Sequence, residues 1–175
     1  MTVWLDATAR AQIEREARRF RLRETGGPLF GFEDEDMDEL VIVGAGGPGP
    51  QAKHRRRLFV PDREAVDRAI ARVHNASEGR YAFLGSWHTH PLGQPLPSPT
   101  DIATARDVAA DDCADLPRPL VLIQATNPLR RTLRDRELRA YRWKAGDATL
   151  APNAIAVVPE PSYPIVDVDW ATVVS

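Results

Sequence analysis

The first part of the chain carries apolar residues at the spacing of an amphipathic helix. Three of them fall at i, i+4 and i+7: Ile13, Ala17 and Phe20. Asp6 or Thr8 can cap the start of this helix, and we expect it to run to about Glu24. Gly26 and Gly27 are expected to end it, because glycine adopts the left-handed conformation of a C-terminal cap at little cost.

The same apolar spacing returns in the middle of the chain. The residues that carry it are Val66, Ile70 and Val73. They predict a second helix that begins after Asp62, as the capping residue, and ends at about Ala76. A third helix is predicted over Thr100–Asp112.

Short apolar or alternating runs predict the strands. They are expected at Pro28–Phe32, Leu40–Gly44, Leu58–Val60, Tyr81–His90, Leu120–Ala125 and Thr132–Trp143. Ile155–Val158 and Ile165–Val168 could each add a short strand. The order of helices and strands predicts an α/β fold, in which a mixed β-sheet is flanked by helices. We expect one domain over residues 1–146 and a C-terminal extension over 147–175.

Composition narrows the class of protein. The chain has 175 residues, of which 43% are hydrophobic and 27% charged, as is ordinary for a soluble globular domain. A net charge of −2 gives no electrostatic attraction to nucleic acid or to an anionic membrane, so neither partner is expected. No apolar run approaches the length of a membrane span, the N-terminus lacks a signal-peptide layout, and Cys113 is the single cysteine. We therefore expect a cytoplasmic protein.

One segment contains a spacing that can hold a catalytic metal ion. His88 and His90 stand at i and i+2 of a predicted strand, so both imidazoles point to the same face. Pro91 ends the strand, and the chain can then return Asp101 as a third ligand. Three protein ligands with a fourth position left open are what a hydrolytic zinc site requires.

Each of these residues also has a purely structural interpretation. A lone histidine is more often a surface or core residue than a ligand. The segment Ser98-Pro99-Thr100-Asp101 is a good helix start, with serine at the cap and a carboxylate at the third helical position. Capping and metal binding are compatible, because a carboxylate fixed in the first turn of a helix can lean onto an ion. The combined spacing favours the metal site.

A metal hydrolase also needs a general base, and Glu24 is the candidate. A glutamate at a helix C-terminus is mildly unfavourable against the helix dipole, so helix stability does not explain its position. An exposed charge at the helix end is the alternative interpretation.

Taken together, these residues resemble a known motif. Glu24 in E-T-G-G-P-L-F-G, then His88-Thr89-His90-Pro91, then Ser98-x-x-Asp101 with seven residues between His90 and Ser98, resemble the JAMM motif of JAB/MPN-type zinc metalloproteases. The resemblance covers roughly residues 5–143 and is closest to compact bacterial members. It implies a JAB/MPN, cytidine-deaminase-like architecture. It also implies that His88, His90 and Asp101 bind one Zn²⁺ per chain.

The resemblance further implies a reaction and a substrate class. Glu24 would take a proton from the attacking water and pass it to the leaving amine, and Ser98 would donate a hydrogen bond to the oxyanion. The reaction would be hydrolysis of a peptide or isopeptide bond, with a ubiquitin-like protein conjugate or precursor tail as the partner. The loop Gly44–Arg57 could shape substrate binding, and its lysine and three arginines could meet an acidic partner. The short stretch Asp112–Pro119 leaves little room for a second substrate-binding insertion.

Other functions stay open at this point. One is a non-catalytic MPN-like binding module, although modules of that kind typically lack a metal ligand. Another is a RadC-type JAB protein linked to DNA repair, since the segment from His88 to Asp101 fits H-x-H-P-x-G-x-x-x-P-S-x-x-D. A phage-tail peptidase would use the same chemistry. The sequence leaves the oligomeric state open.

Overall fold

The structure is a computed structural model, and it describes residues 1–34, 36–126, 136–146, 148–157 and 168–173. The elements in chain order are β1 (Thr2–Leu5), α1 (Ala7–Arg19), β2 (Gly26–Asp34), β3 (Glu39–Ala45), β4 (Lys53–His54), β5 (Phe59–Val60), α2 (Arg63–Ala76), β6 (Ala82–His90), α3 (Pro99–Ala109), β7 (Leu120–Thr126), β8 (Arg136–Arg142), β9 (Ala151–Val157) and α4 (Trp170–Val173).

Seven strands form one closed sheet in the order β1-β3-β2-β6-β7-β8-β9, and β9 pairs with β1 to complete it. The pairs β1–β3, β1–β9 and β6–β7 are parallel and the other pairs are antiparallel. β4 and β5 form a separate two-stranded hairpin. The predicted α/β class, with a mixed sheet flanked by helices, is confirmed. Its relation to cytidine deaminases stays a prediction.

Three apolar clusters hold the helices and the sheet together. The largest joins β1, β2, β3, β6 and β7 to α1, and its side chains with the least exposure include Val3, Leu5, Ile13, Leu29, Leu40, Ile42, Trp87, Leu120 and Leu122. A second cluster packs α2 and α4 against β2 and β3, and a third packs α3 against β7 and β8. Because neighbouring strand residues alternate in direction, burial of Trp87 in the first cluster turns His88 and His90 to the opposite face.

The first helix ends five residues earlier than the sequence predicts. Asp6 caps its start and accepts a hydrogen bond from the Thr8 N–H, as expected. At the other end Phe20 leaves the helical conformation, with φ −115° and ψ 57°, and its ring stacks on His54 at 3.7 Å. This contact with a distant segment is a tertiary effect that helical periodicity cannot report. Glu24 consequently lies in the connection between α1 and β2, not at the end of a helix.

The expectation that Gly26 and Gly27 cap this helix is wrong, because both residues begin β2. Gly26 pairs with His88 and Gly27 with Trp87 on β6. A Cβ at Gly26 would collide with the Trp87 carbonyl, and one at Gly27 would collide with the Gly46 carbonyl. Glycine is needed here because two backbones approach closely.

The remaining predicted elements are found with small shifts in their bounds. Strand β1 and the pairing of β4 with β5 were not predicted. The expected strand Thr132–Trp143 appears as β8, and residues 132–135 lie outside the described part of the chain. The expected short strand Ile155–Val158 appears as β9. Residues 165–167 of the second expected strand, Ile165–Val168, lie outside the described residues.

The C-terminal segment contributes to the closed sheet. β9 lies beyond residue 146 and pairs with both β8 and β1. The division of the chain at residue 146 stays a prediction. Among the described residues, no helix is both long enough and apolar enough to span a membrane.

Candidate metal centre

The three predicted ligands converge where β6 ends and α3 begins. His88 Nε2 lies 3.2 Å from Asp101 Oδ1, and His90 Nε2 lies 3.5 Å from Asp101 Oδ2. The two Nε2 atoms are 3.0 Å apart. All three ligand atoms lie within 4.8 Å of one another. The residues that the spacing selects are therefore brought together as one donor set.

The loop after β6 orients the second histidine. His90 Nδ1 lies 3.0 Å from the Gln94 carbonyl oxygen, which can only accept, so this nitrogen carries the proton. The lone pair of the imidazole is then on Nε2, the atom that faces Asp101. The Tyr141 hydroxyl donates to the Pro95 carbonyl at 2.6 Å and holds the same loop from β8. Tyr141 was not singled out from the sequence, where no local pattern connects it with the site.

Asp101 is fixed by a capping box at the start of α3. The Ser98 N–H donates to Asp101 Oδ2 at 2.6 Å, and the Asp101 N–H donates to Ser98 Oγ at 3.2 Å. The structural interpretation of this segment is thus confirmed alongside the grouping of Asp101 with the histidines. One carboxylate oxygen caps the helix and the other faces His88.

The electrostatics of this cluster suit a divalent cation. Burial raises the pKa of Asp101, but its contacts with both imidazoles and the hydrogen bond from the Ser98 N–H outweigh that effect and hold the pKa well below its usual range. Burial lowers the pKa of His90, but the hydrogen bonds with Asp101 and Gln94 and two nearby carboxylates raise it above its usual value. An anionic oxygen thus lies beside two imidazoles whose Nε2 atoms face each other.

Distances agree with a single small ion. Two ligands each about 2 Å from one zinc ion at a tetrahedral angle lie roughly 3.3 Å apart. The two Nε2 atoms lie 3.0 Å apart, and each has an Asp101 oxygen at a similar distance: Oδ1 at 3.2 Å from His88 and Oδ2 at 3.5 Å from His90. Two imidazole nitrogens and one carboxylate oxygen are also ligands that zinc accepts. The residues present therefore fit a zinc ion.

Glu24 lies just before β2, the strand that pairs with one edge of β6, and its side chain lines the same cavity as the histidines. The Glu24 N–H donates to the Arg55 carbonyl at 2.7 Å, and His54 Nδ1 lies 2.9 Å from the Glu24 carbonyl oxygen. Next to it, the Thr25 N–H donates to Thr89 Oγ1 at 3.1 Å, and the Thr89 N–H donates to the Thr25 carbonyl at 2.8 Å. The backbone of Glu24 is thereby tied both to the β4–β5 hairpin and to the residue between the two histidines.

The environment of Glu24 alters its acidity. Burial raises the pKa of its carboxyl to about 7; the charge of His90 lowers it in part, and that of Asp101 raises it further. A carboxyl with a pKa near neutrality can both accept and return a proton at physiological pH. The structure thus supplies a group with the acidity that a general base needs.

Comparison with known proteins decides the family. A family profile described as prokaryotic homologs of the JAB domain matches residues 6–143. The chain belongs to the prokaryotic JAB family. The resemblance seen in the sequence is therefore confirmed.

Two relatives of this JAB protein carry names that describe hydrolases. A protein of Sinorhizobium fredii named "Probable metalloprotease y4qB" is 31% identical over 127 residues, which cover 72% of this chain and 77% of that protein. A protein of Enterobacter hormaechei named "CD-NTase/cGAS isopeptidase" is 25% identical over 131 residues, covering 73% of this chain and 69% of that protein. These names support a hydrolase of the metalloprotease or isopeptidase type.

A further relative and a solved structure extend the comparison. A Vibrio cholerae protein also named "CD-NTase/cGAS isopeptidase" is 36% identical over 93 residues, covering 51% of this chain and 56% of that protein. The solution structure of protein DSY2949 from Desulfitobacterium hafniense superposes with a TM-score of 0.68 at 18% identity, covering 91% of this chain and 95% of the other. This likeness shows that the two proteins share the fold.

The site of this JAB chain opens into a cavity of about 570 Å³. All five residues selected from the sequence line it: Glu24, His88, His90, Ser98 and Asp101. The remaining wall is largely apolar and includes Val66 of α2, Val108 of α3 and Phe59 of β5. The five candidate residues therefore share one largely apolar cavity.

Three further residues support the site but have no sequence signal of their own. Thr89 aligns the segment of Glu24 with β6, and Tyr141 holds the loop that orients His90. His54 lies between the rings of Phe20 and Phe59, at 3.7 and 5.5 Å between ring centroids. Each acts through a contact between segments far apart in the chain.

Proposed function

We propose that this protein is a zinc-dependent hydrolase that cleaves a peptide or isopeptide bond and so releases a ubiquitin-like protein from a conjugate or a precursor. The observation that carries the proposal is the meeting of a His-His-Asp donor set with a carboxyl of raised pKa in one cavity. The names of the relatives agree with this chemistry.

His88, His90 and Asp101 would hold the zinc ion. When bound, zinc supplies Lewis acidity, which makes water a better nucleophile and polarises the carbonyl of the scissile bond. The three side chains contribute position: the capping box holds Asp101, and the Gln94 carbonyl holds the His90 ring. Their pre-formed arrangement means that little conformational freedom is lost when the ion binds.

Glu24 moves the proton. Its carboxylate form accepts a proton from the attacking water, and its acid form returns that proton to the nitrogen of the leaving amine. This double use requires a pKa close to the working pH, in agreement with the value of about 7 produced by burial. The hairpin contacts at Arg55 and His54 hold the Glu24 backbone in place during both steps.

Ser98 stabilises the oxyanion. Its Oγ accepts the Asp101 N–H, so its hydroxyl hydrogen can be donated into the cavity that it lines. A hydrogen bond that forms as negative charge develops on the carbonyl oxygen lowers the barrier, typically by about 3 kcal/mol for one such donor.

The arrangement of strand edges supports the proposed substrate class. The main sheet is closed, so within the described residues the strand edges open to an incoming chain belong to β4 and β5. An extended tail can add beside such an edge through main-chain hydrogen bonds. A glycine-rich tail of a ubiquitin-like protein carries no bulky side chains and can adopt such an extended conformation. We assign the reaction to the cytoplasm, where an exposed thiol such as that of Cys113 stays reduced.

Metal content and cleavage together test the proposal. Wild type and His90→Ala are purified without added metal and analysed for zinc, with His74→Ala, an exposed histidine of α2, as the control. We expect about one zinc per chain in wild type and in the control, and little in His90→Ala. Amide-linked ubiquitin-like fusions are then incubated with each protein, and products are identified by mass spectrometry. A wild type that binds no zinc after reconstitution would overturn the proposal, and binding of a fusion without turnover would favour a binding module instead.

A further inference from the structure

Exposed cations are distributed unevenly on this protein. Many of them pair with neighbouring carboxylates, as in Arg10–Glu14 of α1, Arg68–Glu64 of α2 and Arg80–Glu78 in the turn after α2. Eight exposed cations form no ion pair with any carboxylate of the described residues. Two of them, Arg15 and Lys144, lie elsewhere on the protein; the other six are Arg21, Arg23, Lys53, Arg55, Arg56 and Arg57. All six lie in just two segments, residues 21–23 and 53–60.

These two segments form one surface, which we call the basic rim. The ring of Phe20 stacks on His54 at 3.7 Å, and the Glu24 N–H donates to the Arg55 carbonyl at 2.7 Å. The connection after α1 is thereby fastened along the β4–β5 hairpin. Six positive charges are brought together, and Glu24 of the active site is the single acidic residue within 20–24 and 53–60.

The basic rim also exposes apolar side chains. Leu22 is 62% exposed, Leu58 42% and Val60 41%. Arg56, Arg57 and Leu58 line the cavity that contains the metal ligands, so the rim is continuous with the site. Arginine is enriched at protein interfaces, and unpaired cations beside a cavity attract an oppositely charged partner.

We propose that the basic rim docks the folded body of an acidic protein substrate, one that presents carboxylates around an apolar patch while its tail enters the cavity. The inference rests on the proposed function, since it assigns a surface to the protein whose bond is cleaved. Charge complementarity identifies the occupant: the rim offers six cations without partners, and its leucines and valine match an apolar patch on a folded surface.

Other occupants explain fewer of these features. Nucleic acid would use the cations, but its phosphate backbone gains nothing from exposed Leu22, Leu58 and Val60. A second copy of this chain could present the acidic turn between β2 and β3, where Met37 is 65% exposed. That arrangement would leave the cavity beside the rim without a scissile bond. Both are outcomes that the experiment distinguishes.

The affinity for a carrier protein of known charge tests the inference directly. Two ubiquitin-like carriers share one glycine-rich tail: one is acidic, with carboxylates around an apolar patch, and the other has those carboxylates replaced by amides. The full zinc-loaded chain is compared with a rim triple, Arg21→Ala, Arg23→Ala and Arg55→Ala, none of which lines the cavity. The control triple, Arg10→Ala, Arg68→Ala and Arg80→Ala, removes the same charge elsewhere.

We expect the rim triple to bind the acidic carrier about tenfold more weakly at low salt, with the control triple and wild type alike. The neutralised carrier should bind all three proteins equally. Equal binding of the acidic carrier to both triples would overturn the inference. So would tight binding of wild type to a DNA duplex, or self-association of wild type, if the rim triple abolishes that binding or association. Cleavage is measured separately from binding. If wild type binds the acidic carrier but does not cleave it, the result counts against the proposed function and not against the docking surface.

Discussion

The two halves of the candidate site are built in different ways. The three candidate metal ligands lie between His88 and Asp101, and one strand, one loop and one capping box position them. Glu24 lies in a connection whose position depends on the β4–β5 hairpin and on Thr89. The ligand half is thus local in sequence, whereas the base half depends on contacts between distant segments. Metal binding and proton transfer should therefore be separable by mutation.

The largest effect is expected from a ligand, and Asp101→Asn tests it with the least disturbance. An amide oxygen can still accept from the Ser98 N–H, so the helix start should be kept. The negative charge that balances a dication is lost, and we expect zinc content and cleavage to fall to background while the unfolding temperature changes by only a few degrees. Elemental analysis and thermal unfolding measure both. Full zinc occupancy in this variant would show that Asp101 is not a ligand.

Glu24→Gln should separate the two properties, with zinc retained and turnover strongly reduced. The amide cannot accept a proton, and loss of a general base typically lowers kcat by about 10²- to 10⁴-fold. Single-turnover cleavage and zinc content, measured on the same preparation, separate the two properties. Cleavage at the wild-type rate would remove Glu24 from the mechanism.

A smaller effect is expected from the hairpin contact. His54→Ala removes the ring stack on Phe20 and the hydrogen bond to the Glu24 carbonyl, so the base should be held less firmly. We expect kcat to fall about tenfold with zinc content unchanged, because small displacements of a catalytic group lower the rate. His74→Ala on exposed α2 is the control. Loss of zinc in His54→Ala would contradict the separation of the two halves.

The smallest effect concerns the far end of β2, where charges are paired. Arg142 binds Glu33 through both oxygens, at 2.7 and 2.6 Å. The hydrogen bond from Arg142 lowers the pKa of Glu33, against the effect of burial. The pair therefore stabilises the fold fully above the unfolded carboxyl pKa of about 4.3, and this contribution is lost as pH falls through the lower folded value.

Glu33→Gln should consequently cost about 1 kcal/mol of unfolding free energy at pH 7, a small figure because Glu33 remains 25% exposed and water screens the pair. The difference from wild type should shrink below pH 4, and zinc content and kcat should not change. Urea unfolding at several pH values measures this. A difference that grows as pH falls would contradict the assigned sign.

Local features could be predicted from the sequence and long-range ones could not. The caps Asp6, Asp62 and Ser98 act within a few residues of themselves, so the helix starts were predictable. The grouping of the three candidate ligands follows from strand alternation and one short loop. By contrast, the early end of α1 depends on a ring stack between Phe20 and His54, and no periodicity reports it.

Strand β1 illustrates a second limit. Four residues are too few to show an alternating pattern, and its partners on either side are residues 39–42 and 154–157. The motif suggested a role for Glu24 as general base, but its predicted placement at a helix end was wrong. What held it in place was a hairpin whose paired strands have only two residues each.

The pairing of β1 with β9 has a consequence for synthesis of the chain. β1 leaves the ribosome first, yet one of its two partner strands becomes available only when residues 151–157 have emerged. Until then the first strand and β8 each present an unpaired edge, the kind of backbone that recruits strands from other molecules. Nascent chains that stall before residue 151 should therefore be the species most dependent on chaperones.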